Sequence, residues 1–81
     1  MNKKLVSREE LSNILSDELS SCEGCEGTKI TVLYSLAEPD ERGCNWSADI
    51  TLSLGDGVDL EHAKLLAGAI VEKNRLLFNL S

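Results

Sequence analysis

Nine residues, WSADITLSL at 46–54, constrain this chain more than any others: Trp46, Ala48, Ile50, Leu52 and Leu54 fall on one side of an extended backbone, and Ser47, Asp49, Thr51 and Ser53 on the other. Strict alternation of this kind specifies a strand with one face to be covered and one face in water. A strand needs a neighbour, and the sequence supplies one just upstream. In TKITVLYSLA at 28–37, Ile30, Val32, Tyr34 and Leu36 are expected on the covered face, and Thr31, Leu33, Ser35 and Ala37 on the other. The connection EPDERGCN at 38–45 is hydrophilic and carries Pro39, Asp40, Gly43 and Asn45, which suits a long hairpin loop.

Helices flank this hairpin on both sides. Ser7 and Glu10 have the spacing of a capping box, with Val6 and Leu11 placed as its hydrophobic staple. Leu11, Ile14, Leu15 and Leu19 then recur at helical spacing, while Glu9, Asn13, Ser16, Asp17 and Ser20 fall on the other side. After the second strand, GDGVD at 55–59 ends the extended run, and Asp59 is the natural cap of a helix over roughly residues 60–78. Ala63, Leu66, Ala67, Ile70, Leu77 and Phe78 form its expected core stripe, interrupted by Asn74. The expected fold is α+β, in the order α-β-β-α, with two helices packed on one face of a two-stranded antiparallel sheet.

With 81 residues, 42% of them hydrophobic, the chain encloses one core, so residues 1–81 read as a single small domain with residues 1–6 as a flexible tail. Fourteen acidic residues against eight basic ones give a net charge of −6, a field that repels phosphate backbones and anionic lipid. The basic residues come as pairs, Lys3 with Lys4 and Lys73 with Arg75, and not as a patch. Neither a nucleic acid nor a membrane is expected as partner. MNKKLVSREE offers no apolar segment to act as a signal peptide, and LLAGAIV at 65–71 is too short to span a bilayer, so the expected location is the cytoplasm. Three cysteines in a reducing compartment do not imply a disulfide framework.

CEGCEG at 22–27 admits three readings: a turn holding two small thiols, a metal ligand pair, or a redox pair. In a hairpin, Cys25 lies at the base and Cys44 at the tip, on the order of 25–30 Å apart at the rise of a strand, so one metal cannot take both. Cys22, Cys25 and His62, with Asp56 and Asp59 nearby, are expected at one end, and such a set is acceptable to zinc. The redox reading is weaker, because the motif follows a helix end and Glu23 and Glu26 oppose the thiolate. The turn is the favoured reading, with no cofactor and with zinc as the alternative. Cys44 reads as a small buried anchor of its loop, and Trp46 as a core residue at the start of its strand.

Enzyme constellations are missing: GDG at 55–57 lacks the spacing and lysine of a phosphate loop, DGVDLE is too short for a calcium loop, and a lone histidine suggests no triad. No catalytic residue is expected. SREEL at 7–11, CEG at 25–27 and GCNWS at 43–47 together resemble small uncharacterised bacterial proteins that share an opening helix, a cysteine-glycine turn, a GxNWS hairpin loop and a closing helix. The resemblance implies a bacterial, cytosolic protein of compact α/β fold, and carries no activity or functional residue. Leu65, Ala69 and Leu76 lie opposite the core stripe of the last helix and are the candidate interaction residues, for a protein partner or for self-association. The alternative function is a small zinc-binding protein that uses Cys22 and Cys25 with His62.

Overall fold

A computed structural model describes residues 3–81. The order of elements is β1 (Lys4–Val6), α1 (Arg8–Ser20), β2 (Lys29–Ser35), β3 (Trp46–Ser53), α2 (Leu60–Leu77) and β4 (Phe78–Leu80). The protein is therefore α+β, with two helices, an antiparallel pair β2–β3 and a separate parallel pair β1–β4. Helix α1 packs on β2, α2 on β3, and the two helices on each other.

The expected helix starts are built as their sequences dictate. Glu10 donates its N–H to Ser7 Oγ at 3.0 Å and returns a carboxylate oxygen to the Ser7 N–H, closing the capping box. At α2, Asp59 accepts the N–H of His62 at 2.9 Å. Leu11, Leu15 and Leu19 of α1 are fully buried, with Ile14 half-buried beside them.

Of residues 1–6, expected as a flexible tail, Lys4–Val6 instead form β1, and Met1 and Asn2 lie outside the described residues. Strand β1 runs parallel to β4, Lys4 beside Phe78 and Val6 beside Leu80, and the Ser81 N–H donates to the Val6 carbonyl at 2.8 Å. Burial of Val6 and Leu80 in the core gives these two short strands a reason to meet. The same pairing overturns one expected core residue: α2 stops at Leu77, which stays exposed because Phe78 turns extended into β4.

Strand β2 departs from its alternation. Ile30 and Leu33 are buried, whereas Val32 and Tyr34, expected on the covered face, are exposed. The register shift between Ile30 and Val32, which pair with the adjacent Leu52 and Thr51, is the cause, since the extra residue in β2 moves those after it to the other face; a second shift, between Leu33 and Ser35, lies on the β3 side, where Ile50 and Trp46 are their partners. In β3, Trp46 is fully buried, Ile50 and Leu52 are half-buried, and Ala48 and Leu54 are exposed despite sharing their parity.

Asn74, which breaks the apolar stripe of α2, is buried to 1% exposure. Its amide nitrogen donates to the Ile70 carbonyl at 2.8 Å and to Glu18 of α1 at 3.2 Å, so it joins the two helices through a polar contact. Its Oδ1 finds no protein partner.

Candidate functional site

The doubled CEG is a doubled turn. Cys25 donates its N–H to the Cys22 carbonyl at 3.1 Å, and Thr28 donates to the Cys25 carbonyl at 3.0 Å. In each turn the third residue is a glycine with positive φ, Gly24 at 85° and Gly27 at 81°, which is where a type II turn demands one. Cys25, at the joint of the two turns, is fully buried. Burial pushes its thiol above the ordinary cysteine value, and the neighbouring Cys22 and Glu26 push it the same way. Such a thiol is a poor nucleophile. Cys22 is half-buried and donates through Sγ to the Glu18 carbonyl at 3.4 Å.

His62 does reach this turn. Its Nε2 lies 3.0 Å from the Glu23 carbonyl, and the ring stands where a Cβ on Gly24 would be 3.1 Å from that nitrogen. Asp59 is engaged as the cap of α2. Among the described residues, no group of three or more His, Cys, Asp or Glu side chains is arranged to hold a metal ion.

At the other end of the hairpin, GCNWS makes its contacts within the chain. Asn45 grips β4 from both sides of its amide: Nδ2 donates to the Leu80 carbonyl and Oδ1 accepts the Leu80 N–H, both at 2.8 Å. Asn79 answers in kind, its Oδ1 accepting the Asn45 N–H at 3.1 Å and its Nδ2 donating to the Gly43 carbonyl at 2.9 Å. Trp46 Nε1 donates to the Phe78 carbonyl at 3.0 Å, and Cys44 is buried beneath the loop. Asp40 accepts the N–H groups of Cys44 and Arg42 and pairs with the Arg75 guanidinium, whose Nε also donates to the Trp46 carbonyl at 3.0 Å. These bonds, led by that from Cys44, hold the Asp40 carboxyl below the ordinary carboxylate range despite its partial burial.

The candidate interaction residues stand in the open. Leu65 is 75% exposed and Leu76 55% exposed, with Ala69 also exposed between them. Leu60 at the start of α2 is exposed as well.

The two edges of the β2–β3 sheet are treated differently, which the sequence did not disclose. Along the outer edge of β2, Ser12 Oγ donates to the Ile30 carbonyl at 2.8 Å, the Ile30 N–H donates to Ser16 Oγ at 2.9 Å, and the Arg8 guanidinium donates to the Leu33 carbonyl. Arg8, Ser12 and Ser16 recur every four residues on one line of α1, and that spacing was the available signal. On the other edge, β3 and α2 diverge to leave a groove of about 210 Å³ lined by Ala48, Asp49, Ile50, Leu52, Lys64, Ala67 and Gly68. Comparisons with known protein families, with curated proteins and with solved structures found no match. Among the described residues, no helix is long and apolar enough to cross a membrane.

Proposed function

We propose that this protein is a non-catalytic interaction module, which pairs with a second copy of itself or docks another protein. The observation that carries the reading is the exposed apolar stripe Leu65, Ala69 and Leu76 on a helix whose opposite side already fills the core. Leucines this exposed draw only part of their burial from the fold, and covering what remains against a partner is favourable, where full burial of a leucine is worth about 1.5–3 kcal/mol. The arrangement that serves such a module has both helices covering one face of the β2–β3 hairpin, and the packing of α1 on β2, of α2 on β3 and of helix on helix supports it. A cytoplasmic location fits three cysteines that all remain free thiols.

Light scattering after size exclusion, at high micromolar concentration, tests the reading. A mass above 8.8 kDa is expected, reduced to the monomer by Leu65→Glu with Leu76→Glu. A monomer at every concentration, together with unchanged solubility and melting in the double variant, removes self-association through this helix.

The zinc reading keeps one observation in its favour, the approach of His62 to the CEGCEG turn. It requires the Cys22 and Cys25 thiols to ionise beside Glu23 and Glu26. Replacing both cysteines by serine and melting with and without chelator decides it: a metal site makes the loss of stability depend on chelator, and a turn does not.

A further inference from the structure

We propose that CEGCEG is a redox-sensitive turn: a hydroperoxide oxidises Cys22, Cys25 then closes a disulfide with it, and the change is felt at the ends of both helices that meet there. The inference is independent of the interaction reading above and uses the motif which that reading leaves idle.

The turn holds its two cysteines at a separation that a disulfide can span. The Cys25 N–H donates to the Cys22 carbonyl at 3.1 Å, which makes them the first and fourth residues of a β-turn. Such residues have Cα atoms within about 7 Å of each other, and disulfides join Cα atoms about 4.4–6.8 Å apart. Both side chains pack on the same core, Cys25 inside it and Cys22 at its margin. Cys44, buried beneath the loop at the tip of the hairpin, takes no part in this turn.

The two thiols differ in access, which divides the work between them. Cys22 is half-buried and lines an open depression of about 500 Å³ with Asp17, Glu18, Ser21, Ile70 and Lys73, so a small oxidant reaches it from solvent. Its sulfur attacks one peroxide oxygen: the S–O bond forms as the O–O bond breaks, and the departing oxygen takes the thiol proton, leaving Cys22 as a sulfenic acid. Cys25 is closed to solvent, and the burial that makes it a poor nucleophile towards solution leaves Cys22 as its one partner. Its sulfur attacks the sulfenic sulfur: the S–S bond forms as the S–O bond breaks, and the hydroxide leaves with the Cys25 proton as water. Two electrons pass from the thiols to the peroxide. Confinement in one turn offsets the low reactivity of Cys25, as it does for any group held beside its target.

Oxidation is transmitted because the turn is bonded to both helices. Reduced Cys22 donates through Sγ to the Glu18 carbonyl at 3.4 Å, and the Glu18 carboxylate takes Lys73 Nζ at 2.5 Å and Asn74 Nδ2 at 3.2 Å from α2. A disulfide sulfur has no hydrogen to donate, so the Glu18 carbonyl loses that partner. Glu23 and Gly24 lie inside the ring that the disulfide closes, and His62, in the first turn of α2, stands 3.0 Å from the Glu23 carbonyl. Transient disulfides of this kind are the ones expected in a reducing compartment.

Hydrogen peroxide added to the reduced protein, followed by alkylation in denaturant and peptide mass spectrometry, tests the proposal. A protease that cuts after Glu23 leaves the two cysteines on peptides held together only by their disulfide. The expected product has Cys22 joined to Cys25 within one chain and Cys44 fully alkylated, and dithiothreitol reverses it. Cys22→Ser should slow peroxide consumption by about tenfold, and Cys25→Ser should send Cys22 on to the sulfinic acid. If either variant fails to fold, the wild-type product map decides alone. Cys22 driven to the sulfinic acid in wild type while Cys25 is still alkylated, or a disulfide that links two chains, overturns the proposal. So does a Cys22–Cys25 disulfide that leaves the Leu19 amide and His62 imidazole resonances unmoved, since the bond would then report to neither helix.

Discussion

The two ends of the hairpin carry similar cysteine and glycine lettering and are held by opposite means. At the base, CEGCEG and Gly55 bring backbone against backbone: a Cβ on Gly55 would sit 2.1 Å from the Glu26 carbonyl oxygen, and the Gly55 N–H donates to the buried Thr28 hydroxyl at 3.2 Å. At the tip, GCNWS works through side chains, with Asn45, Trp46 and, from α2, Arg75 supplying the bonds. The base depends chiefly on side chains that are missing, at Gly24, Gly27 and Gly55, the tip chiefly on side chains that are present. Additions should therefore break the base and deletions the tip.

The largest expected effect is at the tip. Trp46→Ala removes the largest fully buried side chain and its bond to the Phe78 carbonyl, and should lower unfolding free energy by about 3–5 kcal/mol in urea melts. Trp46→Phe should recover most of the packing and none of the bond to β4. The matching experiment at the base adds one methyl: Gly55→Ala should cost about 3 kcal/mol, because the clash is with backbone and not with a movable side chain. If Gly55→Ala melts like wild type, the close approach of the two backbones is wrong and the contrast collapses.

Two smaller changes sharpen the comparison. Asn45→Ala at the tip strands the Leu80 N–H and carbonyl, and should cost about 2 kcal/mol while increasing hydrogen exchange at Leu80. Gly24→Ala at the base meets both an unfavourable left-handed backbone and the His62 ring, for about 1–2 kcal/mol, with a change in the His62 imidazole resonances that Asn45→Ala does not produce.

The parts legible in the sequence are those where one residue type has one local use. The Ser7–Glu10 box, the Asp59 cap, the positions of both helices and the hairpin follow from spacing alone. The faces of β2 did not, because a bulge inserts a residue without a compositional mark, and alternation assigned Val32 where the structure buries Leu33. Strands β1 and β4 have three residues each, too few to show a period, and they form because Val6 and Leu80 reach one core from opposite ends of the chain. Asn74 looked like an interruption of a stripe because its partners, Glu18 and the Ile70 carbonyl, are visible only when the helices pack. The open edge of β3 was hidden for a related reason: sequence shows a strand's faces, whereas edges depend on what other elements leave uncovered.

The smallest effects, and the most selective between the two ends, lie in their responses to pH. Asp40 at the tip has its carboxyl pKa lowered from 3.8 by the Cys44 and Arg42 N–H groups and by Arg75, so its contribution is complete above 3.8 and is lost as pH falls through the folded value. Cys25 at the base has its thiol pKa raised from 9.0, so its contribution is complete below 9.0 and is lost as pH rises through the folded value, when an unfolded thiol ionises and the buried one resists. Acid should therefore loosen the tip and alkali the base. In urea melts, the stability gap between wild type and Asp40→Asn should close as the pH is lowered below 3.8, and the gap between wild type and Cys25→Ala should narrow only above pH 9.0. Gaps that stay constant across both ranges would mean that neither group feels its end of the hairpin, and that the bonds to Asp40 and the burial of Cys25 do not persist in solution.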